Sequence, residues 1–187
     1  MSIKFSVLVL AFFFSPKLLA QITIGQWSTA CIQGRLNKAQ FYQENGRINL
    51  IESYHQDVSC LDKSFRFETR GRIYYYTQQP LFIDFVYQEI YLTLYKQIAV
   101  DDFNARKVCG YNNWQAHLPQ NILGLSCALF EINKEIQVPK FGDLKYGIFK
   151  IENGKLYYGQ LSRNFDGSTF SKRPKQLNWF IEYIFQN

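Results

Sequence analysis

Two histidines, four cysteines and a handful of acids are the groups in this sequence with the types for chemistry. His55-Gln56-Asp57 places an imidazole and a carboxylate on one face of a strand, half of an acid–base machine. Catalysis would also need a nucleophile and an oxyanion site beside them, and the segment offers neither. These residues read better as the end of a strand, with Asp57 fixing a turn ahead of Cys60. Asp101-Asp102 fits a solvated face or a helix start better than a metal, and His117, in a loop near Pro119, has no partner at ligand spacing. There is no H-E-x-x-H, no G-x-S-x-G, no Walker loop and no dinucleotide fingerprint. Tyr74-Tyr75-Tyr76 suits alternating core and surface better than a stacking platform for bases. The expectation is a protein that is not an enzyme and uses no cofactor and no metal.

Cys31, Cys60, Cys109 and Cys127 carry the remaining chemistry. Their spacing contains no C-x-x-C, which disfavours zinc. In an oxidising compartment an even count implies two disulfides, with three possible pairings. The N-terminus points to such a compartment. Lys4 precedes the apolar run from Phe5 to Phe14, Ser15-Pro16 breaks it, and Leu18-Leu19-Ala20 ends on a small residue before Gln21. This is the pattern of a secretory signal peptide over residues 1–20. The run is too short to span a bilayer, which takes roughly 20 residues, and Lys17 interrupts it. The expectation is a secreted or periplasmic protein whose mature chain, residues 21–187, has no transmembrane span. Loss of the signal removes Lys4 and Lys17 from a chain of net charge +6. The remaining bases are scattered, without the concentrated stripe that nucleic acid requires.

These groups must be positioned by strands. The chain holds 17 Phe, 13 Tyr and 3 Trp, side chains that favour sheets. Strand-like runs cover residues 22–32, 39–43, 47–54, 64–76 and 82–95. Asn45-Gly46 favours a two-residue hairpin turn, and Asn153-Gly154 does the same between 147–152 and 155–162. Gly71 inside a strand suggests a bulge or bend. Ile98, Ala99, Asp102, Phe103 and Arg106 give a short helical stripe, and 110–120 reads as loop. In the tail, Leu177, Trp179, Ile181, Tyr183 and Phe185 alternate with polar residues, which favours a strand over a helix. The result is a single all-β, antiparallel domain of about eight strands with one short helix, a number that closes into a barrel with room for one small ligand. Successive strands of a meander lie side by side, so the expected disulfides join the nearest neighbours, Cys31 to Cys60 and Cys109 to Cys127. The alternating aromatic tail also suits an outer-membrane barrel, but four cysteines and strands polar on both sides speak against it.

Gly25-x-Trp27 on the first strand resembles the opening of lipocalins and related calycin barrels. Joined to Cys31, Tyr54, Asp57, Cys60, Phe65 and Gly71, it looks like the domain named for the adenomatosis polyposis coli down-regulated protein, and like a group of exported bacterial proteins that share it. Phe103-Asn104, Cys109-Gly110, Trp114, Gly124, Cys127, Lys155-Leu156-Tyr157-Tyr158-Gly159 and Arg173-Pro174 are similar to that bacterial group as well. The resemblance is strongest over residues 24–71. It implies a lipocalin-like barrel or half-barrel, stapled by disulfides. The animal domain is linked to binding Wnt, a lipidated signalling protein. That partner is not carried over to this chain, which shows one copy of the domain.

In lipocalins a basic side chain from a late strand stacks over the first-strand tryptophan. Gly25, Trp27 and Arg173, with Arg163 as the alternative cation, are therefore expected to close the barrel. The leading expectation for function is a non-enzymatic binding protein that holds a small apolar or lipid-like ligand, or the lipid of a lipidated protein, in the barrel. The alternative is an extracytoplasmic interaction or structural module whose barrel is filled by its own side chains. An open or a filled interior separates the two.

Overall fold

The computed structural model describes residues 24–76, 81–131 and 134–186. The signal-like segment 1–20 and the expected N-terminus at Gln21 lie outside the described residues. In chain order the elements are β1 (Gly25–Ser28), β2 (Leu36–Tyr42), β3 (Arg47–His55), β4 (Lys63–Tyr76), β5 (Leu81–Leu94), α1 (Gln97–Arg106), β6 (Pro119–Asn121), β7 (Ser126–Cys127), β8 (Ile136–Gln137), β9 (Leu144–Glu152), β10 (Lys155–Tyr158) and β11 (Tyr183–Gln186). Strands β1, β2, β3, β4, β5, β9, β10 and β11 pair in that order, each antiparallel to the next, and β11 returns to β1. The eight strands form a closed up-and-down ring, interrupted in sequence by the segments between β5 and β9 and between β10 and β11. Closure leaves no barrel edge unpaired.

Turn chemistry sets the registers. Asn153 (φ 52°) and Gly154 (φ 73°) both take the left-handed conformation, as a two-residue type I′ hairpin requires. Asn45-Gly46 behaves differently from the expectation. Only Gly46 is left-handed (φ 73°), the Gln43 N–H bonds the Arg47 carbonyl, and three residues make the loop. This is a type I turn followed by a left-handed glycine, the next commonest hairpin connection. The bulge expected at Gly71 is present: the β4–β5 register shifts between Arg70 and Gly71. A Cβ at Gly71 would lie 2.1 Å from the Val86 carbonyl oxygen, so only glycine permits that approach.

The first and last strands are shorter than their sequence runs. Residues 29–32 leave the sheet after Ser28, and in the tail only Tyr183–Gln186 is strand, because Trp179 and Phe180 form a turn. The expected helix occupies Gln97–Arg106. The two acids considered as metal ligands sit on its surface, where Asp102 pairs with Arg106 and Asp101 accepts from Gln97.

Two apolar cores result. One fills the lower barrel, around Trp27, Ile73, Ile83, Phe149, Leu156 and Tyr183. The second covers the far half of β5. Residues alternate faces along a strand, so Ile90, Leu92 and Leu94 are seated under Phe103, Trp114 and Leu129 from the crossover segment. Asn104 clamps Trp114 through both its backbone groups (2.7 and 3.0 Å), and the indole N–H donates to the Val108 carbonyl (3.2 Å). Disulfides Cys31–Cys60 and Cys109–Cys127 close loops of 29 and 18 residues, each worth roughly 3–4 kcal/mol in the loop-entropy account. These are the pairings expected from the meander.

Candidate functional site

Residues from β2, β3, β4, β5, β9 and β10 line a half-open cavity of about 250 Å³ in the barrel, with Leu161 and Pro174 at its mouth. Its apolar wall is Ile48, Leu50, Ile73, Ile83 and Phe85, which the registers place on one face: Ile48 opposes Gly71, Ile73 opposes Phe85, and Ile83 opposes Gly147. Gly71 and Gly147 let Phe85 and Ile83 lie close against the neighbouring strands. The volume lies between the ~150 Å³ that holds one benzene and the roughly 300–1,000 Å³ of drug-sized sites.

One wall of the cavity is polar. The Tyr42 and Tyr158 hydroxyls meet each other, and each donates to the Gln40 side-chain oxygen. Burial pushes both phenols well above the ordinary tyrosine value, and the neighbouring phenols act on each. Burial does the same to Tyr183, beside Gln40. The cluster is therefore neutral at physiological pH and presents hydroxyl groups, not charge. At the rim, Glu52 is paired with Lys38. Lys145 and Tyr87 also line the cavity, as do Tyr146 and Ile148 of β9.

A larger groove of about 740 Å³ lies between Cys31–Ile32 and Phe180–Ile181, with Leu36 and Lys38 of β2 and Ile184 of β11 also in its lining. The barrel cavity is the better candidate site, because its apolar wall of Ile48, Leu50, Ile73, Ile83 and Phe85 can desolvate a ligand there.

The residues expected to close the barrel divide between its two surfaces. Gly25 (φ 130°) sits against the Phe185 ring, which a Cβ would approach to 2.9 Å. Trp27 is buried inside, 3% exposed, edge-on to Phe185 with ring centres 5.3 Å apart. Arg173, expected over Trp27, is instead held on the outer wall. Its guanidinium lies over Phe82 (4.3 Å), Tyr146 (5.2 Å) and Phe170 (5.3 Å). It also pairs with Asp84 at 2.7 Å and donates to the Gly147 carbonyl at 2.6 Å. Strand parity is the reason. Asp84 and Tyr146 oppose each other and point outward, between Ile83 and Phe85, which point inward. The tail returns over the outside of β9, where Pro174 packs on Gly159 and Ile148. Arg163 is exposed in the intervening loop.

The histidine–carboxylate pair does not form a site. His55 is buried with Nε2 3.1 Å from the Asn37 side-chain oxygen. Asp57 accepts backbone N–H groups from Ser59 (3.2 Å), Leu61 (3.0 Å) and Asp62 (2.7 Å). Those bonds, the one from Asp62 foremost, hold its carboxyl below the usual range and fix the turn that presents Cys60. His117 packs edge-on against Tyr95. Among the described residues no group of three or more His, Cys, Asp or Glu could hold a metal ion, and no helix is long and apolar enough to cross a membrane.

Sequence reasoning missed Gln40, Tyr42, Tyr158 and Lys145 as cavity residues. The readable signal was parity: in 145–151 the inward positions are Lys, Gly, Phe and Ile, and a lysine on the apolar parity of a strand marks a rim. Comparison of the chain with protein-family models and with curated proteins returned no match.

Proposed function

We propose that the protein is an exported, non-enzymatic binding protein that holds one small apolar ligand within its barrel. The observation that carries this reading is the cavity itself, about 250 Å³ with an apolar wall and a neutral hydroxyl cluster at one side. Burying an apolar molecule against such a wall gains about 25 cal/mol per Å² removed from water. Two disulfides fit an oxidising compartment, and the N-terminal sequence pattern supports export with cleavage before Gln21.

The binding test is the fluorescence of N-phenyl-1-naphthylamine, a neutral apolar dye. Wild type is expected to enhance and blue-shift its emission saturably. Leu50→Trp, which puts an indole into the cavity from a half-buried position, is expected to weaken that binding at least tenfold while the protein still melts cooperatively. An unchanged dye response in Leu50→Trp would place the dye elsewhere and reject the cavity as the site. For export, mass spectrometry of protein recovered from the medium or periplasm should find Gln21 at the N-terminus. Intact Met1 on cytosolic protein would reject it.

A second reading rests on a separate observation. Phe180 is 93% exposed, and Trp179 and Ile184 are half-exposed beside the outer groove. Such a patch suits an extracytoplasmic interaction module. Loss of partner capture in Phe180→Ser with dye binding intact would favour it.

A further inference from the structure

We propose that the cavity selects an apolar molecule carrying a carboxylate, and that Lys145 is the residue that reads this head group. The inference rests on the cavity being the binding site.

Lys145 lies on β9 opposite Phe85, on the inward parity of the strand, and lines the cavity beside Tyr87. Glu52, the other charged residue of the lining, is paired with Lys38, and its carboxylate also acts on Tyr87. Lys145 has no such partner: among the described residues no carboxylate lies within ion-pair distance of it. Asp166 is the acid that acts on it electrostatically. That carboxylate is engaged by the Ser168 N–H (2.9 Å) and hydroxyl (2.6 Å) and, at 3.6 Å, by Lys172.

The lysine is also held in place. Gly167 (φ 72°) runs along its stem, where a Cβ would meet Lys145 Cε at 3.3 Å and the Tyr146 carbonyl oxygen at 2.4 Å. Glycine there lets the backbone close over the side chain, so the ammonium is half-buried at the rim. Burial pushes it below the ordinary lysine value, against the pull of Asp166. A half-buried cation without a partner has lost hydration that a ligand carboxylate would replace. Tyr87, which shares the lining, is kept protonated by burial first and then by the Glu52 and Asp143 carboxylates, its phenol pushed up to about 12. An anion reaching the rim meets the Lys145 ammonium, while its apolar part occupies the space between Ile48 and Phe85. The small volume restricts that part to a ring or a short chain.

The test is competition against the bound dye by octanoate and by 1-octanol, which share a chain length and differ in head group. In wild type, octanoate is expected to displace the dye at about tenfold lower concentration than octanol, the scale of one charge-assisted hydrogen bond. Lys145→Gln should erase that preference, so that octanoate and octanol displace the dye at similar concentrations; Lys145→Arg, which keeps the charge, should retain most of it. Equal displacement by the two compounds in wild type would overturn the head-group inference with the cavity intact. So would a preference that survives in Lys145→Gln. If the dye does not bind wild type at all, the binding reading fails first and this one with it.

Discussion

Trp27→Ala is expected to lower stability by about 3–5 kcal/mol, the cost of truncating a fully packed aromatic. The indole is 3% exposed and packs edge-on to Phe185, within the core that includes Leu156 and Tyr183. Those neighbours come from β10 and β11, so the ring bridges the point where the first strand meets the last two. A cavity there would be bordered by rigid strands that cannot collapse into it. For a chain of this size the loss corresponds to a fall in melting temperature of roughly 10 °C or more. Trp27 does not line the ligand cavity, so the variant should bind the dye with wild-type affinity at temperatures where it is folded. A variant that melts like wild type but loses the dye would make Trp27 a ligand contact and overturn the structural role assigned to it.

Arg173→Met should cost a similar amount, about 3–5 kcal/mol, for a different reason. Its side chain and that of Asp84 are 7% and 8% exposed, and removing one member of a buried pair strands the other charge. The substitution also removes the cation from the faces of Phe82, Tyr146 and Phe170 and the donor from the Gly147 carbonyl. The discriminating measurement is a double-mutant cycle by chemical denaturation. Arg173→Met with Asp84→Leu should be more stable than Arg173→Met alone, because no buried charge is then left unpaired. Simple addition of the two single costs would show that Asp84 and Arg173 are energetically independent. Neither variant should alter dye binding directly, because both residues face away from the barrel interior.

Local chemistry was legible wherever neighbours in sequence decide the outcome. Asn153-Gly154 demands a hairpin because both residues tolerate the left-handed conformation the turn requires. Gly71 announces a bulge because a side chain cannot fit against the next strand. The order of strands β1 to β5 follows from short connections, and the pairing of Cys31 with Cys60 and of Cys109 with Cys127 is the nearest-neighbour one, made between loops and the crossover segment and not between successive barrel strands. The short helix was legible from its stripe, although its acids proved to be solvated partners of Arg106 and Gln97.

What the sequence determined alone is a mostly antiparallel β domain of about eight strands, stapled twice, with Trp27 in its core and no recognisable catalytic motif. Which surface each side chain reaches was decided only by the tertiary structure. Arg173 and Trp27 both belong to the region of closure, yet one lies outside the wall and the other inside. A shift of one residue in register exchanges the two faces of a strand, and that register is set by contacts between β5, β9 and a tail far away in sequence. The cavity has the same origin: Gly71 and Gly147, Tyr42 and Tyr158, and Lys145 with Gly167 become neighbours only when the ring closes.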